Sequence, residues 1–285
     1  MTIADALAET TVGGLDLSRH VSVTPDTSVS ATVAAMRDAA LASACVVEDD
    51  RIVGMFTQRD ILQRVIGRNR SWDGPISGEM TTVLKTVTHD ASVADALEEM
   101  ARWWVRNMIV LDDDGGFVGT LSFYTVVRYW TALLTQQLEG PLADDVVREG
   151  LSFVDFTGIN LRPVVTVGTD DPVEVAIHNL RNRGLEQIMV TDERGHLVGV
   201  VTEFDLQQQV GCDPIDLAST PTSAVMDTAP PSLPVRSSIA EAIDTLGTYE
   251  TSNITLTRET GQPAGVASFR QIAAFVEASL EAADG

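Results

Sequence analysis

One short phrase, a glycine with a serine or threonine three residues later, recurs four times in this chain. The copies are Gly54-Met55-Phe56-Thr57, Gly119-Thr120-Leu121-Ser122, Gly199-Val200-Val201-Thr202 and Gly265-Val266-Ala267-Ser268. Successive glycines stand 65, 80 and 66 residues apart. An upstream apolar anchor, Val29, Val93, Val173 and Ile239, is spaced by 64, 80 and 66, and Met36, Met100, Leu180 and Leu246 repeat those intervals. Anchors that hold one register through four copies mark an internal repeat, and a repeat restricts the architecture more than any single motif does. The one-residue slip in the second copy falls in Asp112-Asp113-Asp114-Gly115-Gly116, a turn where an insertion costs little.

Each copy has the same hydrophobic pattern. Val21-Ser22-Val23 alternates like a short strand, and Val29, Val33, Met36 and Ala40 fall at helical spacing. Cys45-Val46-Val47 and Ile52-Val53-Gly54-Met55-Phe56 are strands separated by the Asp49-Asp50 turn, and a helix starts at Thr57. Gln187–Val190, the Asp192–Gly195 turn and Leu197–Val201 repeat that pattern in the third copy. The fold class is therefore α/β (α+β), built from four tandem strand–helix–strand–strand–helix units. A unit of about 55 residues buries its core poorly alone, so the units are expected to pair. The 80-residue interval splits them into two pairs. The expected boundaries are 16–70, 77–135, 158–212 and 221–280, with a connection at 136–157 that holds Gly140-Pro141 and a helical pattern over Leu142–Leu151.

Composition narrows the partners. Acidic residues number 41 against 19 basic ones, for a formal net charge of −22, and Lys85 is the single lysine. Such a surface repels nucleic acid and anionic membranes at long range. Excess carboxylate with almost no lysine resembles proteins of salt-in halophiles, and 44% hydrophobic content argues against disorder. No apolar run reaches the roughly 18 residues of a membrane helix, and the start lacks a secretory pattern. A cytoplasmic protein is the expectation. Cys45 and Cys212 are far apart with no metal-like spacing, and His20, His89, His178 and His196 are scattered, so neither a disulfide framework nor a metal site is expected.

The repeat resembles the CBS (cystathionine-β-synthase) domain family. The segments that carry the likeness are Gly54-Met55-Phe56-Thr57-Gln58-Arg59-Asp60-Ile61 and Gly199-Val200-Val201-Thr202-Glu203-Phe204-Asp205-Leu206, together with Val23-Thr24-Pro25-Asp26 and Glu79-Met80-Thr81. The likeness covers roughly residues 16–276. It implies two Bateman modules, each a pair of repeats with two clefts related by a pseudo-twofold axis. It also implies an adenine nucleotide or S-adenosylmethionine as a regulatory ligand, and no catalytic cofactor. The modules would stack into a disc within one chain or between two.

The resemblance further implies that the aspartates of Thr-x-x-Asp, Asp60 and Asp205, hold ribose hydroxyls, with Thr57 and Thr202 near phosphate. A carboxylate accepts both hydrogen bonds of a diol, and the free N–H groups at a helix start favour an anion. Arg59 adds charge in the first copy. Strand backbone at Thr24, Gly168 and Ile188 would contact the ligand, and Arg106 would reach across the module to a phosphate tail. Another reading stands beside these assignments. Thr-x-x-Asp is also a capping box that satisfies its own helix, and an arginine in so acidic a chain finds surface carboxylates. In the second and fourth copies Thr125 and Gln271 replace the aspartate, which leaves those clefts weak, empty or adapted. Trp103, Trp104, Phe123, Tyr124, Tyr129 and Trp130 are expected in the core or between modules.

The resulting expectation is a non-catalytic sensor of an adenosine-containing ligand that acts on an unidentified regulated protein. A scaffold with empty clefts is the alternative. An enzyme has less support, because lone acids such as Glu186 and Asp192 suit helix ends and turns.

Overall fold

The computed structural model describes residues 3–49, 51–68, 70–139, 155, 156, 159, 161–210, 215–249 and 251–275. Gly140-Pro141 and Leu142–Leu151 lie outside the described residues. A short helix α1 (Ile3–Glu9) precedes the first unit, which runs β1 (Val21–Val23), α2 (Val29–Asp38), β2 (Ser43–Glu48) and β3 (Arg51–Thr57). It closes on α3 (Gln58–Asp60), continued by a π turn over Ile61–Val65. The second unit is β4 (Thr86–Thr88), α4 (Val93–Trp103), β5 (Asn107–Leu111), β6 (Phe117–Ser122) and α5 (Phe123–Glu139). The third is β7 (Thr166–Gly168), α6 (Val173–Arg183), β8 (Gln187–Thr191), β9 (Leu197–Thr202) and α7 (Glu203–Val210). The fourth is β10 (Ser232–Pro234), α8 (Ile239–Tyr249), β11 (Asn253–Thr257) and β12 (Pro263–Ser268), with a helix opening at Phe269.

Each unit folds into a three-stranded sheet with its strands in chain order. The first two strands are parallel and the last two antiparallel, as in Val21↔Ala44 and Ala44↔Phe56. The middle strand is buried on both faces, which explains its continuous apolar run. In β2, Ala44 and Val46 join the helices while Cys45 points to the other face, where it meets Met55 and Ile109 of the second unit's β5. Helix starts are set locally. The Ser28 hydroxyl accepts the Ala31 N–H at 3.1 Å, and Ser92 accepts that of Asp95 at 3.0 Å.

The recurring glycine has a packing cause. The segment leading into one unit crosses the third strand of its partner, so closely that a β-carbon would collide. A Cβ at Gly119 would lie 2.7 Å from the Leu17 carbonyl oxygen, and one at Gly199 2.5 Å from that of Asp227. The crossings are reciprocal: Met55 bridges Thr81, and Val200 bridges Asp227, while Arg162 bridges Val266. They pair unit one with unit two, and unit three with unit four. The second copy's Thr120, buried in that interface, meets the Cys45 sulfur at 3.2 Å.

The two pairs join through helices, with unit one against unit three and unit two against unit four. Val29, Val33, Phe56 and Leu62 share one core with Val173, Ile177 and Leu206. Met100, Val126 and Trp130 share another with Ile243, Leu246 and Phe269. Trp130 meets Phe269 edge-on at 5.1 Å and Phe123 meets it at 5.4 Å, so these aromatics hold the pairs together. Two expectations differ from the structure. Helix α2 ends at Asp38, and Ala40 lies beyond it with φ 52°, outside the apolar stripe. Trp104 ends α4 at φ 54° and is 84% exposed, and Trp103 beside it is exposed as well, so neither lies in the core expected for them. Among the described residues, no helix is long and apolar enough to cross a membrane.

Candidate ligand-binding site

A cavity of about 530 Å³ opens where the four units meet. That volume falls within the roughly 300–1,000 Å³ of small-molecule sites. Two copies of one motif, one intact and one degenerate, face into it. One is Thr202 with Asp205 at the start of α7, and the other is Ser122 with Thr125 at the start of α5. Each is opposed by its partner unit: Thr251–Asn253 and Pro230-Pro231 lie beside Asp205, and Ala40–Ser43 lie beside Thr125.

Asp205 and Thr202 form a capping box. Asp205 Oδ2 accepts the Thr202 N–H at 2.8 Å and the Thr202 hydroxyl at 2.6 Å, and its own N–H returns to Thr202 Oγ1 at 3.2 Å. Oδ1 receives no hydrogen bond from the described residues, and no arginine among them pairs with Asp205. Burial raises the carboxyl above its ordinary value, the Thr202 hydrogen bonds oppose that shift, and the nearby Asp227 adds to it. A half-buried carboxylate with an open oxygen on a cavity wall is equipped to accept hydroxyl donors.

Asp60 has the same cap and different surroundings. Its Oδ2 accepts the Thr57 N–H at 2.9 Å and the Thr57 hydroxyl at 2.7 Å. Its Oδ1 accepts the Thr81 hydroxyl at 3.3 Å and pairs with Arg64 at 3.4 Å. The position equivalent to Thr81 in the other pair is Asp227, because both bridge the third strand of the partner unit. A donor stands over one aspartate and a like charge near the other. Neither Asp60 nor Thr57 lines the central cavity. Gln271 repeats the cap with its amide, its Oε1 accepting the Ser268 N–H at 2.9 Å, and Thr125 caps through Ser122 at 3.0 Å.

Arg106 also lines the cavity, where it donates to Glu203 Oε2. Arg59 donates to Glu203 Oε1 at 3.3 Å. Burial works against the charge on Arg106, but Glu203, with Tyr124 and Glu186 behind it, outweighs burial and raises its pKa. Burial likewise pushes the Glu186 carboxyl up. Arg106, the Asn253 amide at 2.7 Å and Arg162 at 3.4 Å more than offset that and hold it below its ordinary value.

The remaining expected positions lie apart from the cavity. Thr24 sits in an exposed turn bonded to Thr27, and the Gly168 N–H donates to Asp171 at 2.7 Å. Ile188 is fully buried in the helix-facing core, while its strand neighbour Gln187 reaches the cavity wall. Strand alternation accounts for the one-residue difference. Glu203, Asp227, Glu186 and Gln187 are site residues that sequence reasoning passed over. Glu203 had a signal, since it occupies a variable position inside Thr-x-x-Asp. Asp227 had none before the crossing strands were placed. At the periphery, the fold gathers His89, Asp90 and Asp113 with ligand atoms within 4.8 Å of one another, and the two aspartates are exposed.

The CBS domain sequence profile matches residues 12–67, 76–131 and 157–210, just over half of the chain. The fourth unit lies outside those matches and has the same order of strands and helix. An uncharacterised 17.7 kDa protein of Acidianus ambivalens is 29% identical over 143 residues, covering 50% of this chain and 85% of the relative. A Methanocaldococcus jannaschii structure described as an archaeal homologue of g-AMPK superposes with a TM-score of 0.74 at 14% identity, over 92% of this chain and 97% of its own. An uncharacterised Pyrococcus horikoshii protein superposes with a TM-score of 0.55 at 18% identity, over 90% and 95% of the two chains. Repeat, fold and profile agree: the chain belongs to the CBS domain family.

Proposed function

We propose that this chain is a non-catalytic, cytoplasmic regulator that binds an adenosine-containing ligand in its central cavity. The candidates are an adenine nucleotide and S-adenosylmethionine. The observation that carries the reading is Asp205, whose carboxylate lines a ligand-sized cavity with Oδ1 open. Oδ1 accepts one ribose hydroxyl, and the partner unit's backbone around Pro230-Pro231 and Thr251 borders the base. Asp60 is the second ribose acceptor, available when Arg64 and Thr81 release its Oδ1. Thr57 and Arg59 serve that second cleft, with Thr24 as its strand position. Four domains at 16–70, 77–135, 158–212 and 221–280 form the disc within one chain, and a partner protein reads the packing of the two modules. Only a ligand with different affinities for two packings drives such a change.

Calorimetric titration of adenosine, AMP, ADP, ATP and S-adenosylmethionine at high salt tests the proposal. Asp205→Asn should weaken the best binder by about 10- to 100-fold, the worth of charge-assisted hydrogen bonds, while circular dichroism stays unchanged. No heat from any of these compounds with folded protein would overturn it.

A further inference from the structure

The residue at the first helical position after the capping Ser/Thr is not uniform among the four copies. It is Gln58, Phe123, Glu203 and Phe269, so the third unit alone places a charge there. Glu203 lines the cavity two residues from Asp205, and its side chain is 2% exposed. Its two oxygens take Arg59 from the first unit and Arg106 from the second. A helix start with free N–H groups and nearby arginines is where an anionic tail would settle. Here the protein's own carboxylate already takes both arginines.

On the rest of the wall the acids Asp16, Glu186, Asp205 and Asp227 outnumber the arginines Arg19 and Arg128. Arg128 pairs with Asp16 at 3.7 Å, and Arg19 lies exposed beside the same aspartate. Glu186 and Asp227 add negative charge to the wall. Glu203 cannot simply be displaced. It is anchored on the first turn of α7, and freeing it would leave a buried carboxylate beside the incoming phosphate, the arrangement that low-dielectric sites penalise most.

We infer that Glu203 is a specificity determinant that excludes polyphosphates, so that the cavity takes a nucleoside ligand with a neutral or cationic 5′ substituent, such as a sulfonium. The inference rests on the reading that the cavity binds adenosine compounds. Repulsion of the unwanted ligand is a recognised way to build selectivity, and it acts through the difference between two affinities.

The test is a calorimetric series at fixed ionic strength with adenosine, S-adenosylmethionine, AMP, ADP and ATP. In the native chain each added phosphate should weaken binding, with ATP at least about tenfold weaker than adenosine. In Glu203→Gln, the affinity for ATP should gain about tenfold or more relative to that for adenosine. The native series stands alone if that variant folds poorly, because the ranking needs no substitution. Binding of ATP as tight as or tighter than adenosine by the native chain overturns the inference and leaves the adenosine site standing. So does an unchanged ATP-to-adenosine ratio in folded Glu203→Gln. Failure of the underlying reading looks different: no compound binds either chain, and both proposals fall together.

Discussion

Two half-buried carboxylates on one cavity wall, Glu186 and Asp205, shift in opposite directions because their neighbours differ. Arg106, Asn253 and Arg162 hold Glu186 below its ordinary value of 4.5 against the pull of burial. The stability that Glu186 contributes is therefore present above that value and is lost as pH falls through the lowered one. Asp205 is raised from 3.8, so its contribution runs the other way: it is complete below that value and is lost as pH rises through the raised one. Glu186→Gln should flatten the acid limb of stability below pH 4.5, measured as denaturant midpoint against pH, and an unchanged limb would show that Glu186 is not paired in solution. The same scale exposes what residue patterns miss. Ile188 and Gln187 are equally plausible strand residues in sequence, and alternation sends one into the core and the other to the cavity.

At the scale of elements, α6 holds the π turn after α3 across the module boundary. The Arg181 guanidinium donates to the Leu62 carbonyl at 2.6 Å and the Ile66 carbonyl at 2.7 Å, and Gln63 donates back to the Arg181 carbonyl at 3.3 Å. The π turn leaves those carbonyls without regular helical partners, and Arg181 supplies donors from the other pair. Arg181→Met keeps the aliphatic stem and removes the donors. It should cost about 1–3 kcal/mol, read from chemical denaturation, whereas a loss below about 0.5 kcal/mol would mean that water replaces the guanidinium. In the sequence Arg181 is a cation in the last turn of α6, a place that favours it through the helix dipole, and nothing there points to the turn it holds.

The whole molecule depends on contacts between units far apart in the chain. Trp130 is 1% exposed and packs on Phe269, joining the second unit to the fourth. Trp130→Ala should cost about 3–5 kcal/mol, seen as a lower denaturant midpoint. Trp130→Phe should cost less, because an aromatic ring is retained and an indole N–H without a partner among the described residues is removed. Equal losses from both variants would show that the indole itself, rather than ring packing, joins the units.

The repeat, the order of elements and the pairing of units were legible in the chain because their causes are local or periodic. Apolar residues recur at helical or alternating spacing, and a glycine recurs wherever a crossing segment leaves no room for a β-carbon. The candidate site was legible only in part. Thr57/Asp60 and Thr202/Asp205 are one motif in sequence, and both fold into the same capping box. What separates them comes from other segments. Thr81 and Arg64 engage Asp60, whereas Asp227 leaves Asp205 open, and Glu203 draws Arg59 and Arg106 to a single buried carboxylate. Motif chemistry follows from neighbours a few residues away, but the charge of a cavity is the sum over four units, and only their tertiary packing decides it.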